Sequence, residues 1–157
     1  MSQDIALKDQ LQIQALILRS ARLLDAEDLA GWQSLFDSSA VYEITAYSTE
    51  MRKTLSWWKT DMPALAKLLA EVREHVRDPA RRLHVVSADV AGIAGDTATA
   101  DSAFAIYRTL TTGESSLYAV GRYKDRLTRQ ASGQWALLER VVELDTRVLE
   151  AFTHLPL

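Results

Sequence analysis

Cysteine is absent from all 157 residues. Disulfides, thiolate nucleophiles, cysteine-ligated zinc and iron–sulfur clusters all require that sulfur, so this chain cannot build any of them alone. Histidine is nearly as scarce. His75, His84 and His154 are the only three, and no two stand three to five residues apart, as paired ligands on one helix face do. The sequence therefore predicts no metal site of its own, because a triad of two histidines and a carboxylate would have to converge from distant positions. No Gly-rich phosphate loop or nucleophile elbow is present. No apolar run approaches the roughly 20 residues of a membrane-spanning helix, since Arg, Asp or Glu interrupts each one. No block of Lys and Arg offsets a net charge of −3, which disfavours a nucleic-acid partner. Met1-Ser2-Gln3-Asp4 lacks the basic start and apolar stretch of a secretory leader, and the expectation is a cytoplasmic protein.

What is present reads as one domain over residues 1–157, with 48% hydrophobic and 25% charged residues. A chain of this length buries roughly 70% of the surface its unfolded form exposes, so it needs no cross-link to hold a core. Between about Ile5 and Ala26, residues Ile13, Leu16, Ile17, Ser20 or Ala21, and Leu24 follow the helical period, and Leu7 and Leu11 extend it. Asp28 caps a second, short helix with Leu29, Trp32, Leu35 and Phe36 on one side. Residues 40–46 read as a strand, and residues 47–60 hold only a short one. Asp61 then caps a third helix carrying Leu65, Leu68, Leu69, Val72 and Val76, which Asp78-Pro79 ends. From Leu83 the pattern becomes extended, with turns at Gly95-Asp96, Thr112-Gly113 and Ser132-Gly133, predicting a four-strand antiparallel meander. The fold class expected is α+β: a cone-shaped roll of strongly curved, mostly antiparallel sheet against N-terminal helices.

Few residues carry recognisable chemistry. Asp25 closes the first helix and His84 opens the first long strand, where the two can form an acid–base pair suited to dehydration, isomerisation or epoxide opening. The competing reading has Asp25 capping its helix or pairing with Arg22, and His84 hydrogen-bonded within the sheet. Alternation places Arg122, Lys124 and Arg126 on one face of the third meander strand. Glu139, Glu143 and Asp145 lie opposite, to pair across the ladder or to meet a neighbouring subunit. Trp32 and Trp135 are expected in the core, and the apolar ending with Phe152, Leu155 and Leu157 is expected to dock against something.

The run Leu24-Asp25-Ala26-Glu27-Asp28, with Trp32, Leu35-Phe36 and Ala40-Val41-Tyr42, resembles the opening of the nuclear-transport-factor-like superfamily, which includes scytalone dehydratase and ketosteroid isomerase. Arg82-Leu83-His84-Val85-Val86-Ser87, the stretch from Leu117 to Asp125 and that from Leu137 to Thr146 resemble the small (β) subunit of aromatic-ring-hydroxylating dioxygenases. That resemblance implies a structural subunit with no catalytic, cofactor-binding or metal residue of its own. Its α partner would carry the Rieske iron–sulfur cluster and the mononuclear iron, in a hexamer of three α and three β subunits. Electrons would come from NAD(P)H through a reductase, sometimes with a ferredoxin. Arg122, Lys124, Arg126, Glu139, Glu143, Asp145, Phe152, Leu155 and Leu157 then become candidates for contacts between subunits. The ending Leu155-Pro156-Leu157 is most similar to members acting on benzoate-type acids. The rivals are a free-standing hydratase or isomerase using Asp25 and His84, although no second histidine follows His84 in the strands, and a non-catalytic ligand-binding module.

Overall fold

Helix α1 (Ser2–Asp25) buries Ile13, Ile17, Ala21 and Leu24 along one stripe, at the spacing the sequence predicts. The coordinates are a computed structural model that describes residues 2–72, 78–150 and 155–157. Leu7 and Leu11 do not extend the buried stripe; both are exposed, as is Leu18. At 100° per residue, these three lie about 80–120° around the helix from Ile17 and form a second, uncovered stripe. Asp9 takes the buried place instead, because Arg129 and Trp135 receive its carboxylate.

Helix α2 (Leu29–Gln33) is capped by Asp28, whose carboxylate accepts the Gly31 N–H at 2.9 Å. It is shorter than expected: Phe36 already begins strand β1 (Phe36–Ser48). Strand β2 (Lys53–Asp61) forms a long hairpin with β1 where only a short strand was expected. Trp57 and Trp58 fall where the register shifts between Ile44 and Thr45, so Trp58 packs on Tyr42 while Trp57 is exposed. Helix α3 (Met62–Val72) starts on the predicted cap, with the Ala64 N–H bonded to the Asp61 carboxylate at 2.9 Å. Leu65, Leu69 and Val72 are buried and Leu68 is exposed. Val76 and His75 lie outside the described residues, as do Phe152 and His154.

The strand expected from Leu83 to Ile93 is two strands, β3 (Arg81–Ser87) and β4 (Val90–Ala94). Both pair with β5 (Thr97–Thr109), β3 along its second half and β4 along its first. Ala88-Asp89 separates them, and the Asp89 carbonyl still accepts the Asp101 N–H at 2.9 Å. Strands β6 (Ser115–Arg129) and β7 (Trp135–Leu144) complete the meander. The sheet order is β2-β1-β7-β6-β5-β3, with β4 also on β5. Every pairing is antiparallel except β1 with β7, which is parallel. The fold is α+β, with the helices packed on one face of the sheet. Between the layers lies one core, in which Trp32, Phe36, Tyr42 and Trp58 form an edge-to-face chain.

Candidate functional site

The described structure brings Asp25 and His84 together. His84 lies on edge strand β3, and its backbone N–H, having no neighbouring strand on that side, donates to both Asp25 carboxylate oxygens at 3.0 and 3.1 Å. Its ring Nδ1 stands 2.6 Å from Asp25 Oδ1. An ionised carboxylate only accepts, so this geometry places a ring N–H at Nδ1. Nε2 is buried and has no hydrogen-bond partner among the described residues. Of the two readings of Asp25, the pairing with His84 is the one observed; the C-terminal end of α1 delivers the carboxylate to the exposed edge of the sheet.

A second constellation was not anticipated. Arg140 and Asp125 are fully buried and joined by a two-pronged contact, Nε to Oδ1 at 2.8 Å and Nη2 to Oδ2 at 2.7 Å. Arg140 Nη1 donates to Ser20 on α1 at 2.9 Å, and the guanidinium lies 4.2 Å over the Tyr123 ring. Burial pushes the Tyr123 and Tyr42 phenols well above their ordinary range, so both stay neutral. The signal was in the alternation itself: if Arg122, Lys124 and Arg126 face outward, then Tyr123 and Asp125 must face the helices.

The apolar ending docks inside its own chain. Leu157 is buried in the core; the Tyr42 hydroxyl donates to its carbonyl at 3.0 Å and accepts its N–H at 2.9 Å. Leu157 is therefore removed from the candidate subunit contacts, because the polar handle of Tyr42 and the apolar pocket around it already satisfy it. Leu155 is partly buried against the same core.

On the face away from the helices, the expected ladder is only partly paired. Arg126 meets Glu139 at 3.1 Å, whereas Lys124 pairs with Asp101 on β5. Arg122 stands opposite Glu143 in register, but no ion pair joins them among the described residues. Glu143 and Asp145 are exposed. Among the described residues no group of three His, Cys, Asp or Glu is placed to hold a metal ion, and no helix is long and apolar enough to cross a membrane.

Comparison with known proteins places this geometry in a family. The SnoaL-like domain matches residues 6–141. The β subunit of 2-aminobenzenesulfonate 2,3-dioxygenase from Alcaligenes sp is 32% identical, covering 95% of this chain and 99% of its own length. The β subunit of methanesulfonate monooxygenase hydroxylase from Methylosulfonomonas methylovora is 30% identical, covering 90% and 83%. Among solved structures, a β subunit assigned to an aromatic-ring-hydroxylating dioxygenase of Novosphingobium aromaticivorans superposes with a TM-score of 0.81 at 23% identity, covering 92% of this chain and 94% of that one. By its length, its sequence and its α+β layers, this chain belongs to the SnoaL-like domain family and, within it, to the β subunits of multi-subunit oxygenases.

Proposed function

We propose that this chain is the structural β subunit of an aromatic-ring-hydroxylating dioxygenase of the cytoplasm. It assembles with an α subunit that carries the Rieske cluster and the mononuclear iron, three copies of each. A reductase, directly or through a ferredoxin, feeds that partner electrons from NAD(P)H, and two oxygens are added to an arene. The observation that carries this reading is collinearity with oxygenase β subunits over almost the whole of both chains. The chain's chemistry agrees with it: without cysteine it cannot ligate an iron–sulfur cluster, so redox work falls to a companion. Relatives that act on 2-aminobenzenesulfonate and terephthalate favour an aromatic acid as substrate, and the methanesulfonate relative shares the sulfonate of the first.

Co-expression with a Rieske-type α chain, followed by mass determination and iron analysis, tests the proposal. A mixed complex with its iron in the α chain, active only when both chains are present, is expected. Product formed by this chain alone, or failure to capture any such partner, would overturn it.

One observation favours a second reading, a hydratase or isomerase activity in this chain itself: Asp25 holds Nδ1 of a ring whose buried Nε2 has no partner among the described residues. Asp25→Asn and His84→Ala separate the two: a self-sufficient hydratase or isomerase stays homo-oligomeric and loses its activity in both, whereas an oxygenase assembled with either variant keeps its turnover if the role is structural.

A further inference from the structure

Strand β7 ends at Leu144, and the described residues that follow, 145–150 and 155–157, form neither helix nor strand. Thr146 and Arg147 tie their first half to β6 and to the β1–β2 turn: the Val120 N–H donates to the Thr146 hydroxyl at 2.9 Å, and Arg147 pairs with Glu50 at 2.7 Å. Val148 then stands 83% exposed. The ending nonetheless returns to the core, where Leu157 is 1% exposed. Its N–H and its carbonyl both go to one side chain, the Tyr42 hydroxyl, and not to a strand ladder.

A hydroxyl that gives its proton to a carbonyl and takes an N–H holds Leu157 as a binding site holds a small molecule. The surroundings agree. Trp32 and Trp58 stand edge-on to Tyr42, with ring centroids 5.5 and 5.6 Å away, so the phenol that receives Leu157 is walled by rings. On the Trp32 ring, Nε1 is buried and has no hydrogen-bond partner among the described residues. Buried N–H groups are nearly always paired, and one without an acceptor marks a place for an oxygen from outside the chain. Leu157 fills the apolar space and leaves that donor unserved.

We propose that the pocket under Leu157 is a binding site for small molecules that set an apolar group of leucine size, or one arene, beside an oxygen acceptor, with the chain's own ending as the resident competitor. The Tyr42 hydroxyl donates to that oxygen as it does to the Leu157 carbonyl. Tethering gives the ending a high local concentration, so free molecules enter only where they exceed it or where the ending is released. The site asks nothing of an α partner and uses neither Asp25 nor His84.

Isovaleramide, which carries leucine's isobutyl group on a carboxamide, and benzamide are the probes, titrated into the full chain with tryptophan fluorescence as the readout and thermal melting as the check on folding. Leu157→Asp is the releasing variant, since a carboxylate does not enter an apolar pocket. It is expected to bind both probes about tenfold or more tighter than the wild type. Adding Tyr42→Phe removes the donor and is expected to weaken that binding about fivefold. Where Leu157→Asp melts without cooperativity, Leu157→Ala replaces it: the ending then keeps its place but leaves an apolar space, and benzamide is expected to raise its melting temperature more than the wild type's. Folded variants that bind the probes no better than the wild type would overturn the proposal. So would binding that Tyr42→Phe leaves unchanged, because the probe would then sit elsewhere. A Leu157→Asp protein that melts at the wild-type temperature would do the same, because the ending would not be docked.

Discussion

Arg140 is a charge carried wholly inside the core. Its guanidinium spends three N–H groups on Asp125 and Ser20 and its flat face on Tyr123, so no part of the charge is left to water. A buried pair of this kind adds little net stability over apolar groups, but breaking it strands a charge in a medium that cannot solvate it. Asp125→Ala is therefore expected to lower unfolding free energy by about 3–5 kcal/mol in urea titrations, and Asp125→Leu combined with Arg140→Met to recover most of that loss. A double variant no more stable than the single one would show that the ion pair itself, not the orphaned charge, holds the site. His84 differs in kind, for among the described residues its ring is anchored at one nitrogen only, the other being buried without a partner.

Among elements, β6 and β7 meet closely at one glycine. Gly121 has no room for a side chain: a Cβ there would meet the Glu143 carbonyl oxygen at 2.2 Å and the Phe104 ring at 3.1 Å. The near neighbour is backbone, which cannot swing away as a side chain would. Gly121→Ala is expected to destabilise by about 3 kcal/mol or more, at the upper end of overpacking effects, read as a lower urea midpoint. An unchanged midpoint would mean that the two strands have slack along their ladder. Arg122 and Glu143 stand on either side of this seam.

For the molecule as a whole, carboxylates tie distant segments and set its response to acid. Arg129 holds the Asp9 carboxyl below its ordinary value of 3.8, joining α1 to β6, and Arg108 does the same for Asp78 ahead of β3. A group whose folded pKa is depressed stabilises fully above its unfolded value and loses that contribution as pH falls through the folded one. Stability should therefore be level near neutrality and decline below about pH 4. In Arg108→Gln the decline should be shallower, because Asp78 then titrates nearly alike in both states. Urea midpoints at a series of pH values measure this, and equal slopes for the two proteins would count against the assignment.

Local signals in the chain were enough for the fold class, the caps of the second and third helices, the long strands from Thr97 and the likeness to oxygenase β subunits, because period, capping residues and turn dipeptides act locally. They also named Asp25 and His84, each plausible from its place at an element's end. Other features depended on neighbours distant in the chain. Leu7 and Leu11 stayed exposed because the buried stripe of α1 turned toward Asp9 and its arginine on β6. The break between β3 and β4 arose from sharing one long partner strand, and Leu157 left the surface for a hydroxyl 115 residues away. The Arg140–Asp125 pair came into being only once strand register was set. Register is a long-range agreement among strands, and a one-residue slip would have put each of these side chains on the opposite face.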